Sequence, residues 1–348
     1  MSFCNFIVNA VGDANCIFFK NASDSLMIDC GADNKTIFQN NPTLSEQIKS
    51  TKNLLISHYH TDHFNILFYL NRNEINISQL YYPYLPEIKQ KPVFIKEELF
   101  ISYLIQTISI SKAFDLISLL KQINSKIFDF EPLYQGKNIL NNSIEVIWPP
   151  KELLPSQESK LNKKIMEINE DIKKIPEISK LWEQFDQFDV NTDTQFLKHD
   201  WNDSSGIINK IHIDIEKYRD EIANLDAKMK AITNSLSICL YKENDFLFLG
   251  DLEKEEVEEC LKQLQAKLNT KIINIKYFIT PHHGTITHYS EAVKIIRADY
   301  VISSNGERRC SAYQSEYNKL ATYHHCTHEN GNFERAKTYC LSHYYFNN

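Results

Sequence analysis

Residues 53–63 read Asn-Leu-Leu-Ile-Ser-His-Tyr-His-Thr-Asp-His, an apolar run that leads directly into four side chains able to bind metal. The run predicts a β-strand over Asn53–Ser57, and apolar residues at helical spacing follow over 63–72. The sequence therefore places this histidine-rich segment on the loop between a strand and a helix.

The spacing within the segment suits a pair of metal ions. His58 and His60 are two residues apart in an extended loop, so they point the same way and can bind one ion. Asp62 and His63 turn onto the next position and can bind a second ion. Histidine and aspartate together favour zinc, or manganese where oxygen ligands predominate. The alternative, histidines on a solvated loop, is disfavoured because four ligands fall within six positions.

Two later predicted strands end in polar residues that can complete this site. Phe246–Leu249 precedes Asp251, and the apolar run that ends at Ile279 precedes His282 and His283. Strand ends on one edge of an α/β sheet are where ligand sites form. We expect Asp251 to bridge the two ions, His283 to bind the second ion, and His282 to contact substrate or orient a ligand. Two ions roughly 3.5–4 Å apart create a bridging hydroxide at neutral pH and stabilise an in-line attack.

The composition limits the class of protein. The 348 residues allow one large domain or two ordinary ones, and 43% hydrophobic residues can form a substantial core. Lys+Arg 38 against Asp+Glu 45 gives a net charge of -7, which excludes a general basic surface for nucleic acid but not a local basic groove. Neither GxGxxG nor GxxxxGK[ST] occurs, so a glycine-rich phosphate loop is not expected.

The sequence also predicts a cytoplasmic protein without a membrane partner. The most apolar region, residues 99–123, is interrupted by polar and charged residues, and Met1 to Ala10 lacks the features of a signal peptide. The eight cysteines are scattered with no CxxC pair, which favours reduced thiols over a disulfide framework.

Residues 151–233 differ in pattern from the rest of the chain. Apolar residues alternate steps of three and four, first at Leu161, Ile165, Ile168, Ile172 and Ile175, then at Ile208, Ile211, Ile215, Tyr218, Ile222, Leu225, Met229 and Ile232. Each stretch forms a heptad seam, and the connection Trp182–Gly206 would allow an antiparallel hairpin. We expect a helical insertion over 151–233 within a hydrolase domain formed by 1–150 and 234–348. Two helices lying on the main body, or an arm over 156–232 that binds a protein partner or a second copy, both remain open.

With these motifs the chain resembles the metallo-β-lactamase superfamily. Asp29 within Leu26–Gly31 matches the first motif, His58–His63 the second, Asp251 the fourth, and the His282-His283 pair the fifth. The resemblance implies an α/β fold, a four-layer αββα sandwich, with a site for two divalent metal ions, zinc or manganese.

Further motifs make the chain most similar to the hydrolase domain of the bacterial competence DNA-uptake channel protein and its soluble relatives. These are the opening at 11–17, Trp148-Pro149-Pro150, Asn234-Ser235-Leu236 and Val301-Ile302-Ser303. The resemblance covers 1–150 and 234 to about 335, and the heptad segment lies outside it.

Two departures from the superfamily pattern affect the site. The third histidine motif is absent, with Asn234 in its neighbourhood, so the first metal position is one ligand short. An oxygen from the Asn234 side would suit manganese there. The opening loop carries Asp13, Ala14 and Asn15 where the relatives carry a Gln-Gly-Asp-like run.

Several other residues are weaker candidates. Thr285 and Ser303 lie near strand ends and could bind a phosphate oxygen, although ordinary loop roles are favoured for both. His324, His325, Cys326 and His328 lack a second ligand pair at zinc-finger spacing, so we interpret them as a polar surface segment. Cys260 and Cys340 have no base nearby in sequence and are assigned no catalytic role.

The leading functional hypothesis is a metal-dependent hydrolase, a phosphodiesterase or nuclease acting on nucleic acid or a nucleotide, with Asp62, Asp251 and His282 as catalytic residues. A second hypothesis is a subunit of a multi-protein complex, such as a bacterial defence complex, that docks through the helical insertion. A third is a lactam, lactone or thioester hydrolase, which the missing third histidine motif disfavours.

Overall fold

The computed structural model describes residues 5–20, 24–68, 77–84, 129–141, 143–186 and 215–336, together with 87–88, 91–92, 97, 100–101 and 104. The chain divides into two compact units. The first comprises Met1–Tyr84, Ile123–Lys151 and Asn234–Asn348, and the second comprises Leu85–Gln122 and Glu152–Thr233. The second unit therefore takes in 85–122, which the sequence analysis placed with the hydrolase domain.

Strands dominate the described part of the first unit. In chain order the strands of both units are β1 (Asn5–Val8), β2 (Ile17–Lys20), β3 (Ser25–Ile28), β4 (Asn53–Leu55), β5 (Gln79–Pro83), β6 (Glu87–Ile88), β7 (Lys91–Pro92), β8 (Asp129–Leu133), β9 (Asn138–Ile139), β10 (Ile144–Trp148), β11 (Cys239–Lys242), β12 (Phe246–Phe248), β13 (Ile273–Ile279), β14 (Ile296–Ser303), β15 (Ala321–Cys326) and β16 (Phe333–Ala336).

These strands form two seven-stranded mixed sheets. The order in the first sheet is β16-β1-β2-β3-β4-β5-β8, and in the second it is β15-β14-β13-β12-β11-β10-β9. In the first sheet β3, β4, β5 and β8 run parallel, and in the second β12, β13, β14 and β15 do. Each sheet thus joins a parallel half to an antiparallel half.

The two sheets pack face to face over an apolar core that alternate side chains of most of their strands supply. Phe6 of β1 contacts Tyr277 of β13 with ring centroids 4.7 Å apart, and Phe19 of β2 contacts Phe246 of β12 at 5.1 Å. Aromatic pairs of this kind contribute about 0.5–1.5 kcal/mol beyond the area that they bury.

Helices cover the outer faces. The Pro42–Ser50 helix buries Leu44 and Ile48, and its Gln47 Oε1 accepts a hydrogen bond from Asn9 Nδ2 at 3.0 Å. The Lys254–Leu268 helix packs a stripe of apolar residues at helical spacing, which includes Val257 and Leu261, against the outer face of the second sheet. This layering confirms the predicted four-layer αββα sandwich.

Shorter helices complete the first unit. The α-helices are Lys35–Gln39, Glu307–Ser311 and Thr327–Asn330, and the 3₁₀ turns are Thr61–His63, Asn65–Phe68, Pro281–Gly284, Ile286–His288, Glu291–Ile295 and Ser315–Leu320.

Local differences from the predicted elements have physical causes. The strand expected over Asn53–Ser57 ends at Leu55, because the Ser57 N–H turns away from the sheet and donates to Asp29 Oδ1 at 2.7 Å. The helical spacing over 63–72 forms short 3₁₀ turns as far as Phe68, and the rest lies outside the described residues. The sequence of residues 87–128 favours mostly helical structure, but β6 and β7 pair antiparallel at its start, and most of the remainder lies outside the described residues.

In the second unit the Pro155–Lys174 helix contains the first heptad seam, with Ile175 as its C-cap. The Pro155–Lys174 helix ends at Ile175, and a second helix covers Pro176–Asp186, because Pro176 has no N–H with which to continue the first. Trp182, expected at the start of the connection, lies inside this second helix.

The second seam is described from a 3₁₀ turn at Ile215–Tyr218 into a helix at Arg219–Asn234, whereas Ile208 and Ile211 lie outside the described residues. Asp171 pairs with Lys228 at 2.5 Å and Glu177 with Lys217 at 2.9 Å. Residue numbers rise from Asp171 to Glu177 on one segment while they fall from Lys228 to Lys217 on the other. The two segments therefore run antiparallel. A coiled coil and a partner-binding arm stay predictions.

Side-chain contacts explain why residues near 100 belong to the second unit. The ring of Phe100 packs edge-on against Trp182 at 5.0 Å, and Glu97 Oε1 accepts from Asn169 Nδ2 at 3.0 Å. Throughout the described parts of both units, no helix combines the length and apolarity needed to cross a membrane.

Replacing Ile222 with glutamate should unfold the second unit. Ile222 has no exposed surface, and a buried unpaired charge costs several kcal/mol. We expect reduced helicity by circular dichroism, with the metal content of the first unit unchanged. Ala223→Glu adds the same charge at the next, exposed position and serves as the matched control. Equal helicity of the two variants would contradict the burial of this seam.

Candidate metal centre

The predicted site residues converge where parallel strands of both sheets end. Asp251, two residues beyond Leu249, lies at the centre of a ring of histidines. Its Oδ2 is 4.0 Å from His58 Nε2, 3.7 Å from His63 Nε2, 3.7 Å from His282 Nδ1 and 3.5 Å from His283 Nε2. The second and fifth motifs of the sequence therefore meet around one carboxylate.

Two of these histidines each have one ring nitrogen held and the other without a partner. His63 Nδ1 lies 2.7 Å from Asp29 Oδ2, and His283 Nδ1 bonds the carbonyl oxygen of Ser304. Their Nε2 atoms are buried and lack a hydrogen-bond partner, although both face Asp251. Buried unpaired nitrogens are costly, and a divalent cation between them and Asp251 would satisfy both. The residues fit a metal ion.

Asp29 fixes the geometry behind the ligands. Its carboxylate accepts from Ser57 N at 2.7 Å, Ser57 Oγ at 2.8 Å and Asn15 Nδ2 at 3.0 Å, in addition to its pairing with His63. The backbone of Asp29 has φ 59°, in the left-handed region, and its N–H donates to Leu55 O at 2.7 Å. A strained residue held by this many contacts is typical of a functional site.

Gly31 allows the histidine loop to approach this support. A Cβ at Gly31 would lie 1.5 Å from the carbonyl oxygen of Asp62, so only glycine fits. The first motif thus supplies both the carboxylate and the space for the second motif.

Two groups of three residues each bring one ligand atom within 4.8 Å of the others: His58, His63 and Asp251 in one group, and Asp62, His63 and His283 in the other. The second group is the set predicted for the second ion. In the first group His63 stands where His60 was expected, and His60 Nδ1 lies 3.0 Å from His58 Nε2. A site of paired ions remains compatible with this arrangement, with His60 at its border.

Charges in the site favour the protonation states that metal binding needs. Burial raises the pKa of Asp62, but the charges of His63 and Arg309 outweigh burial and the pKa falls to about 2. The surrounding histidines likewise outweigh burial at Asp251 and hold its pKa well below the usual range. Burial and its histidine neighbours lower the pKa of His58 well below the usual range. Both carboxylates are therefore ionised and His58 is neutral at neutral pH, as ligands must be.

His63 differs from His58 in its charge. Burial lowers the pKa of His63, but Asp29, Asp251 and Asp62 outweigh burial and raise it well above its usual value. His63 therefore holds a proton that a bound cation has to displace.

Arg309 is a site residue that sequence reasoning missed. Its Nη2 lies 3.0 Å from Asp62 Oδ2, and it belongs to the Glu307–Ser311 helix. Asp13 Oδ1 accepts from Gly306 N at 2.8 Å and Arg309 N at 3.0 Å, so the opening loop caps this helix. Asp13 is one of the residues at which the opening loop differs from that of the relatives, but no spacing rule connects it to Arg309.

Glu253 and His288 were also missed, and they surround His282. The His282 and His288 rings stack with centroids 3.4 Å apart, and His288 Nε2 lies 3.7 Å from Glu253 Oε2. One ligand atom of each of these three residues lies within 4.8 Å of the others. Burial lowers the pKa of His282 to about 4, so its ring is neutral at neutral pH. The sequence offered one signal for each residue: Glu253 lies two residues after Asp251, and His288 lies five residues after His283.

The remaining predicted residues lie around this centre with other partners. Thr285 Oγ1 donates to His282 O at 3.1 Å and lies 3.0 Å from His288 Nδ1. Ser303 has no exposed surface, and its Oγ accepts from Thr280 Oγ1 at 3.1 Å. Asn234 Nδ2 donates to Glu253 Oε1 at 3.0 Å, and Asn234 Oδ1 is buried without a partner. Contacts of these residues with substrate or metal stay predictions.

Comparisons with known proteins concern architecture. No protein-family model and no curated protein sequence matches the chain. Among solved structures, the chain is similar to the metallo-β-lactamase fold protein YhfI from Bacillus subtilis, at 9% identity and TM-score 0.40, over 95% of this chain and 100% of that one. It is similar to a metallo hydrolase from the hyperthermophilic archaeon Ignicoccus hospitalis, at 9% identity and TM-score 0.39, over 96% of this chain and 100% of that one.

A third similar structure is a mutant of CmlA β-hydroxylase, at 11% identity and TM-score 0.42, over 95% of this chain and 54% of that one. Because these similarities are low, the description of the fold rests on the two sheets and the helical layers of this chain. The competence-protein resemblance is neither supported nor opposed by these structures.

Proposed function

We propose that the chain is a metal-dependent hydrolase that cleaves phosphodiester bonds. The observation that carries this proposal is the convergence of four imidazole rings on Asp251 Oδ2 at 3.5–4.0 Å. Divalent ions in such a site supply Lewis-acid charge neutralisation and an activated water at neutral pH.

The chain's own residues prepare the site. Asp29 holds His63 by Nδ1, and the Ser304 carbonyl oxygen holds His283 by Nδ1, so both rings present Nε2 toward Asp251. Supports of this kind fix ring orientation and are worth about 10–100-fold in metal affinity or activity. The ligands need little rearrangement on binding.

His282 and Arg309 contribute polar groups beside the ligands. His282 is partly exposed, and its neutral ring can exchange a hydrogen bond with an oxygen of the substrate. Arg309 places a permanent positive charge against Asp62, which keeps that carboxylate ionised. Bound divalent ions would give this histidine-lined site the positive charge that suits an anionic phosphodiester, and the net charge of -7 favours a nucleotide or a short single strand over a duplex.

Manganese should activate the stripped protein toward phosphodiesters. Because the first metal position lacks the third histidine, an ion that accepts oxygen ligands should bind better there than zinc. We expect hydrolysis of bis-p-nitrophenyl phosphate or single-stranded nucleic acid to appear when manganese is added, together with bound metal by elemental analysis. Asp62→Ala and His63→Ala should lose both signals, whereas His324→Ala should keep both.

A substrate panel distinguishes the alternatives. Manganese- or zinc-loaded protein that opens a β-lactam, lactone or thioester but ignores every phosphodiester would contradict the substrate class. Wild-type protein that binds neither metal would contradict the metal-dependent hydrolase itself.

A further inference from the structure

Cys310 and Cys326 come together away from the histidine centre. Cys310 lies on the Glu307–Ser311 helix, Cys326 ends β15, and their Sγ atoms are 3.6 Å apart. Glu329 of the Thr327–Asn330 helix places Oε1 3.8 Å from Cys310 Sγ. One ligand atom of each residue lies within 4.8 Å of the other two. Three separate elements thus direct two sulfurs and a carboxylate at one point.

The sulfur separation matches two ligands on one ion. A disulfide requires an S–S distance of about 2.05 Å, far shorter than the separation here. Zinc binds thiolate sulfur at about 2.3 Å in tetrahedral geometry, which places two sulfurs roughly 3.8 Å apart. The carboxylate of Glu329 is at a comparable distance. These distances are compatible with a zinc site of three protein ligands.

Asn305 provides an independent observation. The Cys326 thiol donates to Asn305 Oδ1 at 2.9 Å, and Asn305 Nδ2 is buried without any hydrogen-bond partner. The residue is 1% exposed. Loss of the thiol proton on metal binding would remove this hydrogen bond, and a flip of the amide would then let Nδ2 donate to the thiolate sulfur. Donors of this kind support metal-bound ligands.

The neighbouring histidines do not join the cluster. His325 Nε2 lies 2.9 Å from Gly331 O, His328 is exposed, and His324 stacks on Tyr313. The interpretation of this segment as polar surface is therefore wrong for Cys326, which is buried. A second sulfur comes from Cys310, which lies outside the 324–328 segment.

We propose that Cys310, Cys326 and Glu329 form a second metal site, separate from the Asp251 centre, that takes zinc or another thiophilic divalent cation. Three ligands leave a fourth position for water. The site anchors the short Glu307–Ser311 helix. Arg309, the residue next to Cys310 in this helix, contacts Asp62. This inference does not depend on the proposed function.

Cobalt provides a test that the histidine centre cannot mimic. Metal-stripped full-length protein, kept reduced, is titrated with Co²⁺, and the sulfur-to-cobalt charge-transfer absorption in the near ultraviolet is recorded. The groups around Asp251 contain no cysteine among the described residues, so this absorption reports sulfur ligands only. We expect it to reach the intensity of one sulfur-bound cobalt per chain while the Asp251 centre also takes up Co²⁺, to disappear in Cys310→Ser and Cys326→Ser, and to persist in His328→Ala.

The exposed Glu329 keeps the test decisive if a cysteine variant fails to fold. Glu329→Gln should bind Co²⁺ at least about tenfold more weakly and shift the absorption, with circular dichroism unchanged. Wild-type protein without the absorption, or an absorption that survives Cys310→Ser, would overturn the proposal. An intact mass two hydrogens lower, located by peptide mapping to Cys310 and Cys326 in protein purified without reductant and metal, would identify a disulfide pair instead.

Discussion

Asp251→Ala should abolish both metal retention and hydrolysis. Among the described residues, the Asp251 carboxylate is the group that lies within 4.0 Å of ring nitrogens of His58, His63, His282 and His283, so its loss leaves these rings without the charge that they share. Removal of an outer support costs about 10–100-fold in metal affinity, and a shared direct ligand should cost more than about 100-fold. Elemental analysis after dialysis and a phosphodiesterase assay measure the two losses.

A carboxylate on the same strand pair provides the control for this substitution. Asp245 precedes β12 and pairs with Lys242 at 2.8 Å near the surface, away from the histidines. Asp245→Ala should keep wild-type metal content and activity, because such pairs contribute little. Asp251→Ala protein that retains its full metal content would refute the central role of this carboxylate.

Asp29→Ala should produce the largest loss of stability. Asp29 is fully buried and accepts from Ser57 and Asn15 while it pairs with His63, so alanine leaves three donor atoms and a charged ring without an acceptor. Breaking a buried pair of this kind costs about 3–5 kcal/mol in the free energy of unfolding. The melting temperature should fall by roughly 10 °C in a unit of this size.

Asp29→Asn separates charge from backbone effects. Asparagine tolerates the left-handed conformation at φ 59° and retains the shape, so any remaining loss reflects the missing charge opposite His63 and the acceptor oxygen that the amide NH2 replaces. Asp299→Ala, at an exposed carboxylate of the same unit, should change the free energy of unfolding by less than about 0.5 kcal/mol. Chemical denaturation compares the three variants, and an Asp29→Ala protein as stable as Asp299→Ala would remove the support role.

The parts of the site that the sequence predicts are those in which a ligand follows a strand. Asp251 comes directly after an apolar run, and His58 and His63 follow another, so parallel strand ends were sufficient to bring them together. Arg309 and Glu253 carry no such pattern. Their positions depend on how a capped helix and a strand end return to the site, which is a property of the tertiary fold.

Tertiary structure also explains why the helix boundaries in the second unit differ from the prediction. Pro176 begins a new helix just after the first seam, yet Ile172 and Ile178 on either side are both buried, so the apolar period continues past the break between the helices. Periodicity reports which face is buried and not whether one helix supplies it. The short strand β5 was missed because its neighbours β4 and β8, rather than its own pattern, determine its place in the first sheet.

The ligands come from both halves of the sandwich. The histidine loop and Asp29 follow strands of the first sheet, whereas Asp251 and His283 follow strands of the second. An ion bound among them would link the two sheets, which pack against each other through apolar side chains. Because such an ion binds the folded chain alone, mass action adds about 2.7 kcal/mol of stability at a free metal concentration one hundred times its dissociation constant. The thermal midpoint of this unit is therefore a measure of the metal available around it.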